Sequence, residues 1–255
     1  MKKIFSIFLV ALTSLFVVAC GDSKTPTPSA DTNVSLSLKV GTAPNYKPFD
    51  YKEDAKLTGL DIDLVNEIAK REGIELTWVE MSFDGLIPAL KTGKIDMIAS
   101  AMSATEERRK SVDFSDVYYT TKNLYIKKKD NEALNSKEDL EGKIIGVQLG
   151  TLQEPAAKAI KDTKVQSNES LSVVIMELKE GKIDAVIADK DVAKGFLKEN
   201  ADLIEFFEEE DGSEGFSFAF DKDKQKEAIE KFNKGLKDLK ADGTYDKILA
   251  KYELN

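Results

Sequence analysis

The chain has 255 residues, a formal charge of −9, no histidine and a single cysteine. An acidic chain of ordinary globular hydrophobicity is a poor partner for nucleic acid or an anionic bilayer, because their phosphates repel it. Lacking histidine and a second cysteine, it is excluded from His- or Cys-based catalysis and from the commonest zinc sites, so nothing calls for a metal or a cofactor, although carboxylate chemistry stays open.

The length suits one large domain or two modest ones. Residues 1–19 carry Lys2 and Lys3, then an apolar run from residue 4 onward, and end in Val17-Val18-Ala19. This reads as a signal peptide. Cys20 has no internal partner, and an exposed free thiol on an exported protein needs a reason. The small residues before it and Gly21 after it resemble a bacterial lipobox, which implies cleavage before Cys20 and lipid attachment to its sulfur; a plain signal peptide with an incidental cysteine is the alternative. Loss of Lys2 and Lys3 puts the mature chain near −11. Residues 22–33 hold no apolar side chain larger than alanine apart from Pro26 and Pro28, so residues 20–34 read as a lipid anchor and a disordered tether.

Folding is expected to begin near Val34. Residues 35–40 alternate as a strand, and residues 41–51 form a loop rich in turn residues and aromatics. Leu60, Ile62, Leu64, Val65, Ile68 and Ala69 fall on one helical face over 60–71, with Gly73 as the stop. A strand is expected over 74–79, a helix over 83–91 and a short buried strand over 95–99. After it, Ser103 or Thr105 can cap a helix, Ser103 and Glu106 have capping-box spacing, and Glu106-Glu107 supply an acidic first turn. Arg108 then sits near the positive end of the helix dipole, where a cation is disfavoured. Something negative should compensate: Glu106, Glu107, another protein carboxylate, or a ligand carboxylate held by the guanidinium, the hydroxyls of Ser100 and Ser103 and the free N–H groups of the turn.

Residues 112–126 read as a long extended connection. Leu90-Lys-Thr-Gly-Lys-Ile-Asp-Met-Ile98 is matched by Leu178-Lys-Glu-Gly-Lys-Ile-Asp-Ala-Val186, each a helix end, a glycine and a buried strand. Each copy lies in a run that starts with strand and glycine, at Gly41 and at Gly146. The repeat predicts two α/β lobes built alike, with ligand loops at the carboxyl ends of mostly parallel strands. Residues 208–215 form an acidic break, 216–220 a strand, 223–239 an amphipathic helix and 242–252 a turn with a last helix. These final elements have no sheet of their own and are expected to return to the first lobe. That gives 35–120 and 213–255 as lobe one, 121–212 as lobe two, and two hinge crossings.

Seven stretches carry a resemblance. Gly41-Thr-x-x-x-Tyr-x-Pro-Phe49, Leu60-Asp-Ile-Asp-Leu64, Phe83-Asp-Gly-Leu-Ile-Pro-Ala-Leu90, Ser103-x-Thr-Glu-Glu-Arg108, Val112-Asp-Phe-Ser-Asp116, Asp184-Ala-Val-Ile-Ala-Asp189 and Asp242-Gly-Thr-Tyr245 occur in one order. From about residue 38 to 253 the chain resembles the polar amino-acid-binding proteins of bacterial ABC importers, the extracellular solute-binding proteins of family 3, with the two-lobed α/β periplasmic-binding-protein type II fold. The resemblance implies a monomer that clamps an L-amino acid between its lobes and delivers it to an ABC permease in the cytoplasmic membrane. It implies that Arg108 takes the ligand carboxylate, with Ser103 and the Leu152 N–H. Asp189 would take the α-ammonium with the Ala101 carbonyl and Ser100. Tyr46 and Phe83 would sandwich the side chain, Thr151 and Gln153 would line lobe two, and Met102 lies within the same loop.

Taken on the residues alone, each assignment has a plainer reading. Asp189 ends an apolar strand and could cap the next helix; Tyr46 and Phe83 could be core aromatics; Thr151-Leu152-Gln153 could be turn packing; Tyr118 and Tyr119 read as hinge packing. Three positions depart from the family pattern. Ala43 stands where binders of cationic amino acids commonly place an acid, so a neutral or polar ligand is expected over arginine or lysine. Leu152 replaces a frequent threonine or serine, and Asp191 a common proline. Other classes remain in view: an exported enzyme on the same fold working through a lone carboxylate, such as a prephenate- or arogenate-type dehydratase or a cell-wall lyase, and a ligand sensor. The enzyme needs a carboxyl of raised pKa in the cleft that is not paired for binding. The sensor would be joined to a membrane-spanning segment.

Overall fold

The computed structural model describes residues 36–254; the expected signal peptide, lipid attachment at Cys20 and tether lie outside them. In β1 (Ser37–Thr42) exposed Ser37 and Lys39 alternate with buried Leu38 and Val40, as a half-buried strand requires. The stretch expected as a loop holds β2 (Asn45–Tyr46) and β3 (Asp50–Glu53), and β3 folds back into β4 (Lys56–Thr58) as a small antiparallel sheet. Helix α1 (Leu60–Glu72) buries the face its spacing predicted, and Gly73 closes it in the left-handed region. After β5 (Glu75–Glu80), the expected helix over 83–91 divides into a 3-10 turn, Phe83–Gly85, and α2 (Leu86–Lys91). Pro88 has no N–H for the Asp84 carbonyl and is tolerated only in a first turn, so the α-helix starts at Leu86 with Pro88 inside its first turn.

Then come β6 (Met97–Ile98), the single-turn α3 (Glu106–Arg109) and β7 (Val112–Phe114). The second half runs β8 (Lys122–Lys128), β9 (Ile144–Gln148), α4 (Gln153–Lys158), β10 (Lys164–Asn168), α5 (Leu171–Lys179), β11 (Ala185–Asp189), α6 (Lys190–Glu199) and β12 (Leu203–Glu210). The chain closes with β13 (Ala219–Asp221), α7 (Lys226–Ala241) and α8 (Thr244–Lys251). The strand expected over 216–220 is shifted and shortened, because Phe216 instead bridges Ser103 and Tyr119.

Two five-stranded sheets result, ordered β5-β1-β6-β13-β7 and β10-β9-β11-β8-β12. In the first, β1 is parallel to β5 and β6, while β13 runs antiparallel to β6 and β7. In the second, β9 is parallel to β10 and β11, while β8 runs antiparallel to β11 and β12. The topologies are the same, four strands one way and one the other, which makes this a two-lobed α/β fold. The odd strand of each sheet is the one reached by crossing from the other.

The two crossings pair with one another: the Phe216 N–H donates to the Tyr119 carbonyl at 2.7 Å and the Tyr118 N–H to the Phe216 carbonyl at 2.9 Å. Buried rings fill the junction, Tyr118 stacking on Phe218 at 4.6 Å and Phe49 meeting Tyr119 edge-on at 5.2 Å. Helices α7 and α8 pack on α1 beside the first sheet. Among the described residues no helix is long and apolar enough to cross a membrane.

Candidate functional site

The carboxyl ends of β1, β6, β9 and β11 face one cleft. The first sheet and its loops contribute Ala43, Tyr46, Phe83, Ser100, Ala101, Ser103 and Arg108; the second contributes Gln148, Thr151, Leu152, Gln153 and Asp189. Of the residues the resemblance implied, Met102 stands apart: its side chain is buried among Leu86, Ile98 and Phe114, and its carbonyl accepts from the Ser217 N–H at 3.0 Å. Gln148 was not anticipated. It ends a strand at the carboxyl edge as Asp189 does, and that shared placement was the available signal.

Arg108 is held differently from the other two arginines. Arg71 bonds Glu67 and Asp242, and Arg109 bonds Glu214, whereas no carboxylate reaches ion-pair distance of Arg108 among the described residues. Neither Glu106 nor Glu107 compensates it; Glu107 pairs with Lys110. Thr105 caps the turn through its hydroxyl, which accepts the Arg108 N–H at 3.2 Å. With only four residues in α3, Arg108 is as near its end as its start, so the dipole argument against a cation loses its force. The guanidinium donates from Nη1 to the Ser103 carbonyl at 2.9 Å and from Nη2, across the cleft, to the Gly150 carbonyl at 3.0 Å. It also lies 5.6 Å from the centre of the Phe83 ring. Burial lowers its pKa to about 10, against the opposing charges of Asp189 and Asp211, and it remains a cation at neutral pH.

Asp189 stands at the N-cap position of α6 but makes no side-chain cap bond. Its Oδ2 accepts from the Tyr46 hydroxyl at 2.6 Å, across the cleft, and its Oδ1 from the Gln153 amide at 3.2 Å. Gln153 also donates to Asn123 at 2.9 Å, which fixes the amide. Burial raises the carboxyl to about 7, further than these bonds and Arg108 pull it down. Gln148 donates from Nε2 to Asn45 Oδ1 at 3.2 Å and to the Glu169 carbonyl at 3.0 Å. Both partners are acceptors, so the amide nitrogen must face them, and the buried Oε1 is left without a partner.

The Leu152 N–H takes no hydrogen bond among the described residues. The Ser100 hydroxyl is committed, donating to Asp50 at 2.6 Å and accepting from the Ala43 N–H at 3.1 Å. Gly150 has φ 79°, and a Cβ there would lie 3.0 Å from that of Asp84 in the opposite lobe, so glycine lets the walls meet. The free space enclosed is ≈ 10 Å³, about one water; a larger solute enters only if the walls part. A larger cavity, ≈ 520 Å³, lies along α6 beside Tyr51 and Tyr252. It contains none of the buried polar atoms that lack a partner, and its Lys198 and Lys251 are already paired with Glu253 and Asp63. The chemistry therefore points to the smaller space.

Two lobes of like topology, joined by two crossings and presenting a cation and an anion from opposite sides of one cleft, define a solute-binding protein of the two-lobed class. The chain belongs to the bacterial extracellular solute-binding proteins, family 3, the polar amino-acid type, whose model matches residues 38–255. It is 64% identical over 255 residues, 100% of both chains, to a probable histidine-binding protein of Campylobacter jejuni. It is 37% identical to an arginine-binding extracellular protein of Bacillus subtilis, over 99% of this chain and 98% of that one. Among solved structures, an ancestral arginine-binding protein bound to arginine matches with TM-score 0.80 and 42% identity, covering 85% of this chain and 97% of that one.

Proposed function

We propose that the protein captures one L-amino acid between its lobes for an ABC importer, without chemistry on it, and that the side chain it prefers is cationic or carries N–H donors, as in arginine or histidine. The observation that carries this reading is the pair of unmatched charges: among the described residues Arg108 has no carboxylate and Asp189 no cation within bonding distance, and they belong to different sheets. An α-amino acid is a zwitterion that matches both. Satisfying both at once favours the shut cleft, because only an interaction stronger in the closed state than in the open one can drive closure.

The side-chain preference revises the expectation of a neutral or polar ligand drawn from Ala43. Gln148 Oε1 is a buried acceptor that needs an N–H, and leaving it bare costs about 1–3 kcal/mol. The Tyr46 and Phe83 rings can hold a cation at about 0.5–2 kcal/mol. The names of the histidine- and arginine-binding relatives point the same way. The enzymatic reading has little support, since Asp189, the carboxyl of raised pKa in the cleft, is tied to Tyr46 and Gln153.

A thermal-shift panel of the twenty amino acids tests this. Arginine or histidine should give the largest rise, and the same compounds with an amidated carboxyl or an acetylated amine none. A response confined to apolar side chains would reverse the side-chain assignment. We also propose that Cys20 carries the lipid anchor; Cys20→Ala should move the chain out of the membrane fraction, and retention there would rule the anchor out.

A further inference from the structure

Two carboxylates are buried behind the Ser100–Ala101 corner of the cleft with no cation near them among the described residues. Asp50, at the start of β3, accepts three bonds on Oδ2: from the Thr42 hydroxyl at 2.7 Å, the Ala43 N–H at 3.1 Å and the Ser100 hydroxyl at 2.6 Å. Asp61, in the first turn of α1, accepts the Ala101 N–H on its own Oδ2 at 2.5 Å. Both side chains are completely buried. Each leaves Oδ1 short of a well-formed hydrogen bond among the described residues, and the buried Tyr118 hydroxyl beside them lies near enough to Asp61 to pull its carboxyl down somewhat. Two buried carboxylates side by side, each with one oxygen lacking a well-formed bond, are not a stable arrangement of two ionised acids.

Among the described residues the surroundings offer the pair hydrogen bonds but no cation. The titratable groups facing the pair are Tyr118 from the first crossing, Tyr46 from β2 and, behind Tyr118, Tyr245 from α8, and none of them is a cation. Asp63, the next acid on α1, is taken by Lys251 and the Tyr252 hydroxyl. The start of α1 favours one negative charge through its free N–H groups, not two. Burial raises Asp61 to about 7; burial first and then the Asp61 charge raise Asp50 well above the usual carboxylate range.

What the two acids hold is the corner itself. Ala101 has φ 43°, in the left-handed region that an alanine avoids, and its N–H is fixed by Asp61. Ser100, its neighbour, is fixed by Asp50. We propose that Asp50 and Asp61 act as one acid pair sharing a single proton, and that this pair positions the Ser100–Ala101 corner for the amino acid without touching it. The inference rests on the reading of the cleft as an amino-acid site. With the proton in place the pair carries one negative charge and both carboxyls stay where Ser100 and Ala101 need them. Loss of that proton sets two buried anions against each other, and each drags the backbone or hydroxyl it holds. Asp61 ionises at about 7 with Asp50 still protonated, which leaves the pair its one proton; Asp50, raised by burial and by the Asp61 charge, gives up that last proton only above this, and affinity should fall as pH rises beyond it.

The test is calorimetric titration of L-arginine and of L-histidine from about pH 7 to about pH 9.5 into the parent, Asp61→Asn and Asp61→Ala. Asp61→Asn keeps an oxygen for the Ala101 N–H and removes the second charge at every pH, whereas Asp61→Ala removes the acceptor. Ionisation of the ligand and of Asp189 cancels in the ratio of parent to variant. Relative to Asp61→Asn, the parent should lose affinity progressively toward the alkaline end, about tenfold for each pH unit beyond the loss of the last proton. Asp61→Ala should be weak throughout. Parallel pH profiles for parent and Asp61→Asn, or coincident behaviour of the Asn and Ala variants, overturn the proposal.

Melting curves without amino acid supply a second readout. The parent should lose melting temperature between pH 5 and 8 more steeply than Asp61→Asn. If the melts differ but the binding profiles run parallel, a proton is shared but does not position the cleft, and the proposal fails. If neither amino acid binds the parent at any pH, the reading of the cleft fails and the positioning role with it, while the melts still decide whether the proton is shared.

Discussion

The two copies of the internal repeat are alike through the start of their strands and then diverge. In each, a glycine with φ 71° ends the helix, Gly93 in one and Gly181 in the other, and a buried isoleucine follows, Ile95 or Ile183. In each, an aspartate Oδ2 accepts the N–H of the neighbouring first strand: Asp96 from Lys39 at 2.9 Å, Asp184 from Ile144 at 2.8 Å. Beyond that point the first copy runs through Ser100 and Ala101 into the loop that delivers Arg108, while the second stops on Asp189 and turns straight into α6. One scaffold, used twice, thus presents a cation from one lobe and an anion from the other. The shared residues make the sheets, and the residues after them make the site.

The largest expected effect lies in the divergent part. Arg108→Ala should weaken amino-acid binding by about two orders of magnitude, because it removes contacts of about 1.5–3 kcal/mol and strands the ligand carboxylate in a dry cleft. Calorimetry should read this loss with the ligand-free melt little changed. A loss under about threefold would mean that the Arg108 lobe does not hold the carboxylate. Next in size is Gln148→Leu, which fills the same space without an acceptor. It should cost about tenfold for arginine or histidine and much less for an aliphatic amino acid, which competition binding can measure. An equal loss for both would show that Gln148 only packs.

The shared part should respond in stability and not in affinity. Asp96→Ala and Asp184→Ala each remove one carboxylate-to-backbone bond and should each cost about 1 kcal/mol, a drop of about 2–4 °C in Tm for a chain of this size. Costs differing by more than about threefold would break the equivalence of the two copies.

The smallest effect concerns closure. Burial holds Asp189 up to about 7 while the cleft is shut, and in an open cleft it would return toward the ordinary value near 4. A group raised in the closed form favours closure below its open-state pKa and loses that contribution as pH rises to the closed-state value. Without amino acid, the radius of gyration from small-angle scattering should therefore grow slightly between pH 4 and 7. In Asp189→Asn it should stay constant, and the same growth in that variant would assign the change to another group.

Much of this was legible without coordinates because it depends on local pattern. The apolar face of 60–71, the matched Leu-Lys-x-Gly-Lys-Ile-Asp runs and the strand ends at Ser100 and Asp189 are set by period and turn chemistry, and each copy folds its unit from its own residues. The two sheets, the helices and most residues of the cleft followed. Where the reading slipped, the cause was a competing local demand. Pro88 interrupted an expected helix, and Met102 turned into the core although its neighbours face the cleft.

Tertiary structure alone decided what depends on distant groups meeting. That Asp189 leaves α6 uncapped and is held across the cleft depends on Tyr46, 143 positions away in the chain, reaching its carboxylate. That Arg108 lacks a carboxylate, that Gln148 keeps one bare acceptor, and that Asp50 and Asp61 are buried together behind Ser100 and Ala101 are facts about desolvation. A residue's sequence neighbours do not tell how much water it keeps; only the packed lobes fix that. The sequence determined two matched lobes with charged strand ends, and packing determined which of those charges lack a partner.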